Sequence, residues 1–102
     1  VLQDKWAAFS LRAQLCRASV SVLSNIAEGF ARNSRRDFAH FLDIARGSCS
    51  EVQSSLNVAL DVGYVISEEF ERLYDGAKAI AALIGRLTTA ELPRRPTPEI
   101  RS

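Results

Sequence analysis

Ile66, Phe70, Leu73, Ala77, Ile80, Ile84 and Leu87 follow one another at alternating steps of four and three residues. On an α-helix that spacing puts all seven along one stripe, the kind that meets a neighbour in an antiparallel bundle or coiled coil. A strand with the same residues would scatter them over both faces. The stripe therefore predicts a helix and requires at least one other helix to cover it.

Two further stretches can do so. From about Lys5 to Glu28, Leu11, Leu15, Ala18, Val22 and Ile26 recur at three- and four-residue steps, with Asp4 or Ser10 as alternative caps. Gly29 is the expected stop, because glycine takes the left-handed conformation past a helix end without a Cβ clash. Ser34 then fits an N-cap, with Asp37 three residues on as a shortened capping box. The helix it opens is expected from Arg35 to Val62, its stripe made of Phe38, Phe41, Leu42, Ala45, Cys49, Val52, Leu56 and Ala59, and Gly63 ends it. Such a helix is roughly 42 Å long, more than a compact monomer of this size covers. Ser67 is the expected cap of the third helix, whose first turn holds Glu68, Glu69 and Glu71, as the helix dipole favours. Nothing reads as a strand. The fold class is all-α: an antiparallel up-down helical bundle over residues 1–92, followed by a Pro/Arg-rich flexible tail over residues 93–102.

The chain has 102 residues, enough for one small domain, and 47% of them are hydrophobic. A domain this small covers only part of its apolar surface, so that content points to association. No apolar run approaches the roughly 20 residues needed to cross a bilayer, and the expectation is a cytoplasmic protein with no membrane partner. Cys16 and Cys49 form no C-x-x-C motif and read as buried free thiols. The net charge of +1 excludes a protein that coats nucleic acid by charge alone. Its distribution is uneven. Residues 1–50 hold seven Lys/Arg against four Asp/Glu, a net of +3, whereas residues 51–90 hold three against six, a net of −3.

Catalytic and metal constellations are weak. His40 is the only histidine, and Cys49 lies roughly 13 Å along the same helix, so the two cannot form a nucleophile–base pair. Asp37-x-x-His40 resembles one carboxylate-x-x-His element of a di-iron bundle, but such a site needs two. No phosphate-cradling glycine loop, zinc spacing or dinucleotide fingerprint is present. The expectation is no enzyme, no metal and no cofactor.

The polar features fall into three groups. Glu28, Arg32, Ser34, Asp37 and Glu51 are candidates for a structural polar corner between the first two helices. Arg32, Arg35 and Arg36 surround a helix N-terminus and, with Arg12 and Arg17, are candidate contacts for an anion or nucleic acid. Gly47 and Ser48 lie mid-helix, where glycine costs about 1 kcal/mol relative to alanine, and mark a candidate close approach of another helix.

The segment "SNIAEGFARNSRRDFAHFLDIARGSCSEV", followed by "LDVGYVISEEFE", resembles the four-helix-bundle family encoded within intervening sequences of bacterial 23S ribosomal RNA genes. Ser24 to Gly29, Arg32, Ser34, Asp37, Phe38, Phe41, Leu42, Ile44, Ala45, Gly47, Ser48, Glu51, Gly63 and Tyr64 occupy the positions of that family's pattern. Gln14, Arg17 and Ala18 are in register with its upstream stretch. The chain departs from it in Val62, where leucine is usual, and in an additional N-terminal helix that is missing or reduced to a stub around Val1–Trp6. The resemblance implies a non-enzymatic bundle that assembles into homo-oligomeric rings, with a pentamer favoured. It also implies similarity to accessory proteins of diversity-generating retroelements, basic pentamers that bind nucleic acid and a reverse transcriptase.

Two functions compete. One is a homo-oligomeric scaffold or adaptor. The other is a ring-shaped RNA- or DNA-binding accessory protein, partnered with nucleic acid or an enzyme acting on it. The arginines separate them: pairing of these residues with Glu28, Asp43 or Glu51 inside the subunit removes the main support for the second.

Overall fold

The computed structural model describes residues 2–89, and side chains from residue 5 onward. It contains three helices and no strand among the described residues: α1 (Leu2–Ala31), α2 (Arg35–Asp61) and α3 (Ser67–Thr89). The chain is therefore all-α, as its periodicity requires. Residues 93–102, expected to form the tail, lie outside the described residues.

The α1–α2 and α2–α3 connections are short, and each reverses the chain. α2 is the central helix: α1 and α3 both pack against it, and their backbones do not approach one another. The register between α1 and α2 is antiparallel, with Gly29 opposite Phe41 and Ser21 opposite Ser48. The core runs along one stripe of α2. Leu42, Ala45 and Cys49 cluster with Val22 of α1 and Ile84 of α3, bordered by Ile26, Phe38, Ala81 and Leu87. Farther along α2, Leu56 and Ala59 are also buried.

The boundaries follow local chemistry. Ser34 is the N-cap of α2, its hydroxyl oxygen accepting the Asp37 amide at 3.0 Å. At the other end Gly63 has φ +80°. The Tyr64 amide donates to the Ala59 carbonyl at 2.8 Å and the Gly63 amide to Leu60 at 3.1 Å. This is a Schellman motif, which satisfies carbonyls that the helix end would otherwise leave orphaned.

Four expectations need correction. α1 begins at Leu2 and reaches Ala31, so Ser10 is interior to it, and the residues up to Trp6 continue α1 rather than forming the stub of a separate helix. Gly29 is not the helix stop. It is helical and buried, and a Cβ there would sit 3.3 Å from the Phe41 Cβ and 3.4 Å from the Phe38 carbonyl oxygen. Its small size lets α2 approach. α2 ends at Asp61, with Val62 as the C-cap. Ser67 is the first helical residue of α3 instead of its cap; the Ile66 amide donates to Glu69 Oε1 at 3.1 Å, half of a capping box.

The α3 stripe divides in two. Ala77 and Ile84 are buried and Phe70 is half-buried, all turned to α2, while Ile66, Leu73 and Ile80 are exposed. Heptad spacing alternates between two rows. In this chain α2 covers one of them, and of the other only Leu87, which packs against the core.

Candidate functional site

The corner between α1 and α2 assembles most of the polar candidates. Glu28 and Arg32, one helical turn apart, form an ion pair. The Arg32 guanidinium also lies 4.9 Å from the centre of the Phe41 ring, a favourable cation–π distance. Phe30 and Phe38 meet edge to face at 5.1 Å beneath the turn. Ser34 and Asp37 form the cap just beyond. The corner is thus a carboxylate and a guanidinium at a helix C-terminus, seated on aromatic rings. A cation there offsets the carboxylate that the dipole disfavours.

Glu51 lies elsewhere. It lines a groove of mixed character between the middle of α1 and the second half of α2, where Gln14, Arg17, Ser21, Ser54 and Ser55 sit among Leu11, Ala18 and Val58. Antiparallel register explains this: each residue along α2 moves the opposing position back along α1, away from the corner. Beside this groove Ser21 and Ser48 share a 2.7 Å hydrogen bond. Asn25 Nδ2 donates to the Ser21 carbonyl at 2.8 Å and to its hydroxyl oxygen at 3.1 Å. Ser48 is buried, and its hydroxyl is satisfied across the helix pair, as burial demands.

The close approach expected at Gly47 and Ser48 is found at only one of them. Ser48 faces α1, whereas a Cβ at Gly47 would have nothing within 4 Å. The second contact of this kind is at Gly29.

The arginines do not gather on one surface. Arg32 is engaged with Glu28 and Arg17 is in the groove with Glu51. Arg46 pairs with Asp43 at 3.7 Å. Arg12, Arg35 and Arg36 are exposed, Arg12 on the N-terminal half of α1 and the other two at the start of α2. The first free amides of α2 include that of Asp37, which is already given to Ser34.

Among the described residues no group of three or more His, Cys, Asp or Glu could hold a metal ion, and His40 is exposed, with its ring against Phe41. Cys49 is buried as expected, and burial pushes its thiol pKa up; Cys16 is exposed, against expectation. No helix among the described residues is long and apolar enough to cross a membrane.

One feature of α1 escaped the sequence reading. Trp6, Phe9, Val20, Leu23 and Phe30 are all large, apolar and exposed. With Ala13, Cys16 and Ala27 they form an unbroken series at steps of three and four residues, a second stripe besides the one facing α2. The same spacing that revealed the α3 stripe was present here. It was masked because the Leu11–Ile26 stripe already explained the helix.

No curated protein sequence matches the chain. A solved structure similar to it is that of a protein of unknown function from the S23 ribosomal protein family of Bacteroides thetaiotaomicron VPI-5482. The two share 25% identity with a TM-score of 0.76, over 78% of this chain and 74% of that one. The sequence profile of the 23S rRNA-intervening sequence proteins matches residues 2–86, which takes in all of α1 and α2 and nearly all of α3. The chain belongs to the 23S rRNA-intervening sequence protein family.

Proposed function

We propose that this protein is a non-enzymatic, cytoplasmic, homo-oligomeric scaffold or adaptor, whose activity is to present surfaces to other chains. The observation that carries this reading is the apolar surface left uncovered by three helices. Trp6, Phe9, Val20, Leu23 and Phe30 on α1, and Leu73, Ile80 and Leu83 on α3 with Ile66 just before it, are each more than 40% exposed. Isolated exposed apolar residues are ordinary; rows of them at coiled-coil spacing mark an interaction surface. The polar corner of Glu28, Arg32, Ser34 and Asp37 then has a structural role, holding the reversal that sets α1 against α2.

Light scattering coupled to size-exclusion chromatography tests the reading. The expected result is a defined assembly at micromolar concentration, and a stable monodisperse monomer would overturn it. Family resemblance implies five copies in a ring, and the same measurement reads that number.

The alternative reading, a ring that binds RNA or DNA, rests on the exposed arginines Arg12, Arg17, Arg35 and Arg36, while Arg32 is ion-paired with Glu28. Electrostatic binding by so few charges falls steeply with salt. Filter binding with structured RNA should therefore show no retention at physiological salt. Retention there that is lost in the Arg35→Ser/Arg36→Ser variant would favour the nucleic-acid reading instead.

A further inference from the structure

The groove between α1 and α2 is built in layers, and their order selects a kind of ligand. Ser21 lies opposite Ser48, so each step back along α1 is met by a step forward along α2. Arg17 and Ala18 are therefore level with Glu51, Gln14 with Ser55, and Leu11 with Val58, and all of them line the groove. One end is closed by the 2.7 Å hydrogen bond between the two serines. The next layer sets a guanidinium on one wall against a carboxylate on the other. The far layer is apolar on both walls.

Both charges are available to a ligand. Arg17 and Glu51 are exposed, and among the described residues neither side chain makes an ion pair or a hydrogen bond. Arg32 and Arg46, by contrast, are paired with Glu28 and Asp43. Small residues keep the walls apart at this level: Ala18 is buried between them, and Ser54 and Ser55 are short.

We propose that this groove binds a free α-amino acid with a large apolar side chain. Its carboxylate accepts from Arg17, its ammonium donates to Glu51, and its side chain runs toward Leu11 and Val58. Such a molecule carries both signs on one carbon, as two charges in a single layer require. A phosphate or nucleic acid would meet the like charge of Glu51, and a diamine that of Arg17. A peptide holds its two charged ends apart. From Arg17 to Leu11 is six residues, about 9 Å along the helix, a span that phenylalanine largely fills and alanine does not. Gln14, one turn from Arg17, adds an amide that both donates and accepts. The groove measures about 690 Å³, within the range of about 300–1,000 Å³ usual for small-molecule sites. The proposal goes beyond the scaffold reading and uses none of the exposed apolar residues of α3.

Isothermal titration of the full chain with L-phenylalanine tests it. The expected result is saturable binding with a Kd of about 1 mM. N-acetyl-L-phenylalanine lacks the ammonium and L-phenylalaninamide lacks the carboxylate. Each should bind about tenfold more weakly, as loss of one charge-assisted hydrogen bond implies, and L-alanine should also bind more weakly. The substitutions then pair with the ligands. Glu51→Gln should weaken binding of phenylalanine without further weakening the acetylated form, and Arg17→Gln should do the same with respect to the amide. Both residues are exposed, and circular dichroism checks that each variant keeps its helices. The capped ligands test the same contacts on the unaltered chain. No saturable binding of phenylalanine at tens of millimolar would overturn the proposal. So would capped ligands that bind as well as the free amino acid, or binding indifferent to both substitutions. Light scattering on the same samples reads the assembly separately, so failure here leaves the scaffold reading intact.

Discussion

Gly29 and Gly47 are both glycines inside helices, and their surroundings differ in a way that mutation can read. A Cβ at Gly29 would press on the Phe41 Cβ at 3.3 Å and the Phe38 carbonyl oxygen at 3.4 Å. Neither atom is the far end of a flexible side chain. Gly29→Ala should therefore cost stability, by about 1–3 kcal/mol for an overpacked contact, despite alanine's better helix propensity. At Gly47 nothing lies within 4 Å, and Gly47→Ala should stabilise the subunit by up to about 1 kcal/mol. Thermal melts of the two variants check the contrast. If Gly47→Ala instead lowers the melting temperature or the assembly mass, a second chain comes close at Gly47. The sequence marks both positions as glycine, but only the fold tells them apart, because the contact at Gly29 joins residues on different helices. The thiols behave similarly. Burial raises the pKa of Cys49, so the folded state holds that proton more tightly than the unfolded chain does. Its contribution to stability is present below the ordinary thiol range and declines as pH rises through it.

The two ends of α2 were legible, since their signals are local, whereas Gly29 and Ser67 were misread as a stop and a cap. Ser34 with Asp37 announced the start of α2, and Gly63 its end, because a cap is built from residues within a few positions of each other. Gly63→Ala tests this at the scale of the element. It must hold alanine at φ +80°, a left-handed conformation costing about 1–2 kcal/mol. The melting temperature should fall while the helical signal at low temperature is retained. No loss would mean that the turn from α2 into α3 relaxes without strain. Helix faces were less legible. Periodicity placed Ala77 and Ile84 correctly against α2, but it could not foresee that Ile66, Leu73 and Ile80, in the same seam, would stay exposed. On α1 the difficulty was the reverse. Two apolar stripes share one helix, so there is no single polar face to orient it, and a helix apolar on two sides is normally covered on both. The polar corner shows the same division: Glu28 and Arg32 were within reach along one helix, whereas the distance of Glu51 from them depends on antiparallel register.

At the scale of the whole molecule, the proposed homo-oligomeric reading has the uncovered stripes couple folding to association. The core seals few large side chains, with Leu42, Leu56 and Ile84 the largest fully buried ones among the described residues besides Cys49. On that reading, a subunit with so small a core gains a substantial part of its stability from contact with other copies. The melting temperature should then rise with protein concentration, by about 3–5 °C for each tenfold increase in a chain of this size if association is dimeric. Leu23→Asp, on the uncovered face of α1, should weaken that dependence and bring the wild-type and variant curves together at high dilution, where the wild-type assembly has dissociated. Calorimetric scans over a hundredfold range of concentration would read both effects. A melting temperature independent of concentration, with an unchanged mass, would mean that the subunit is stable alone and that the α1 stripe does not contribute to holding it folded.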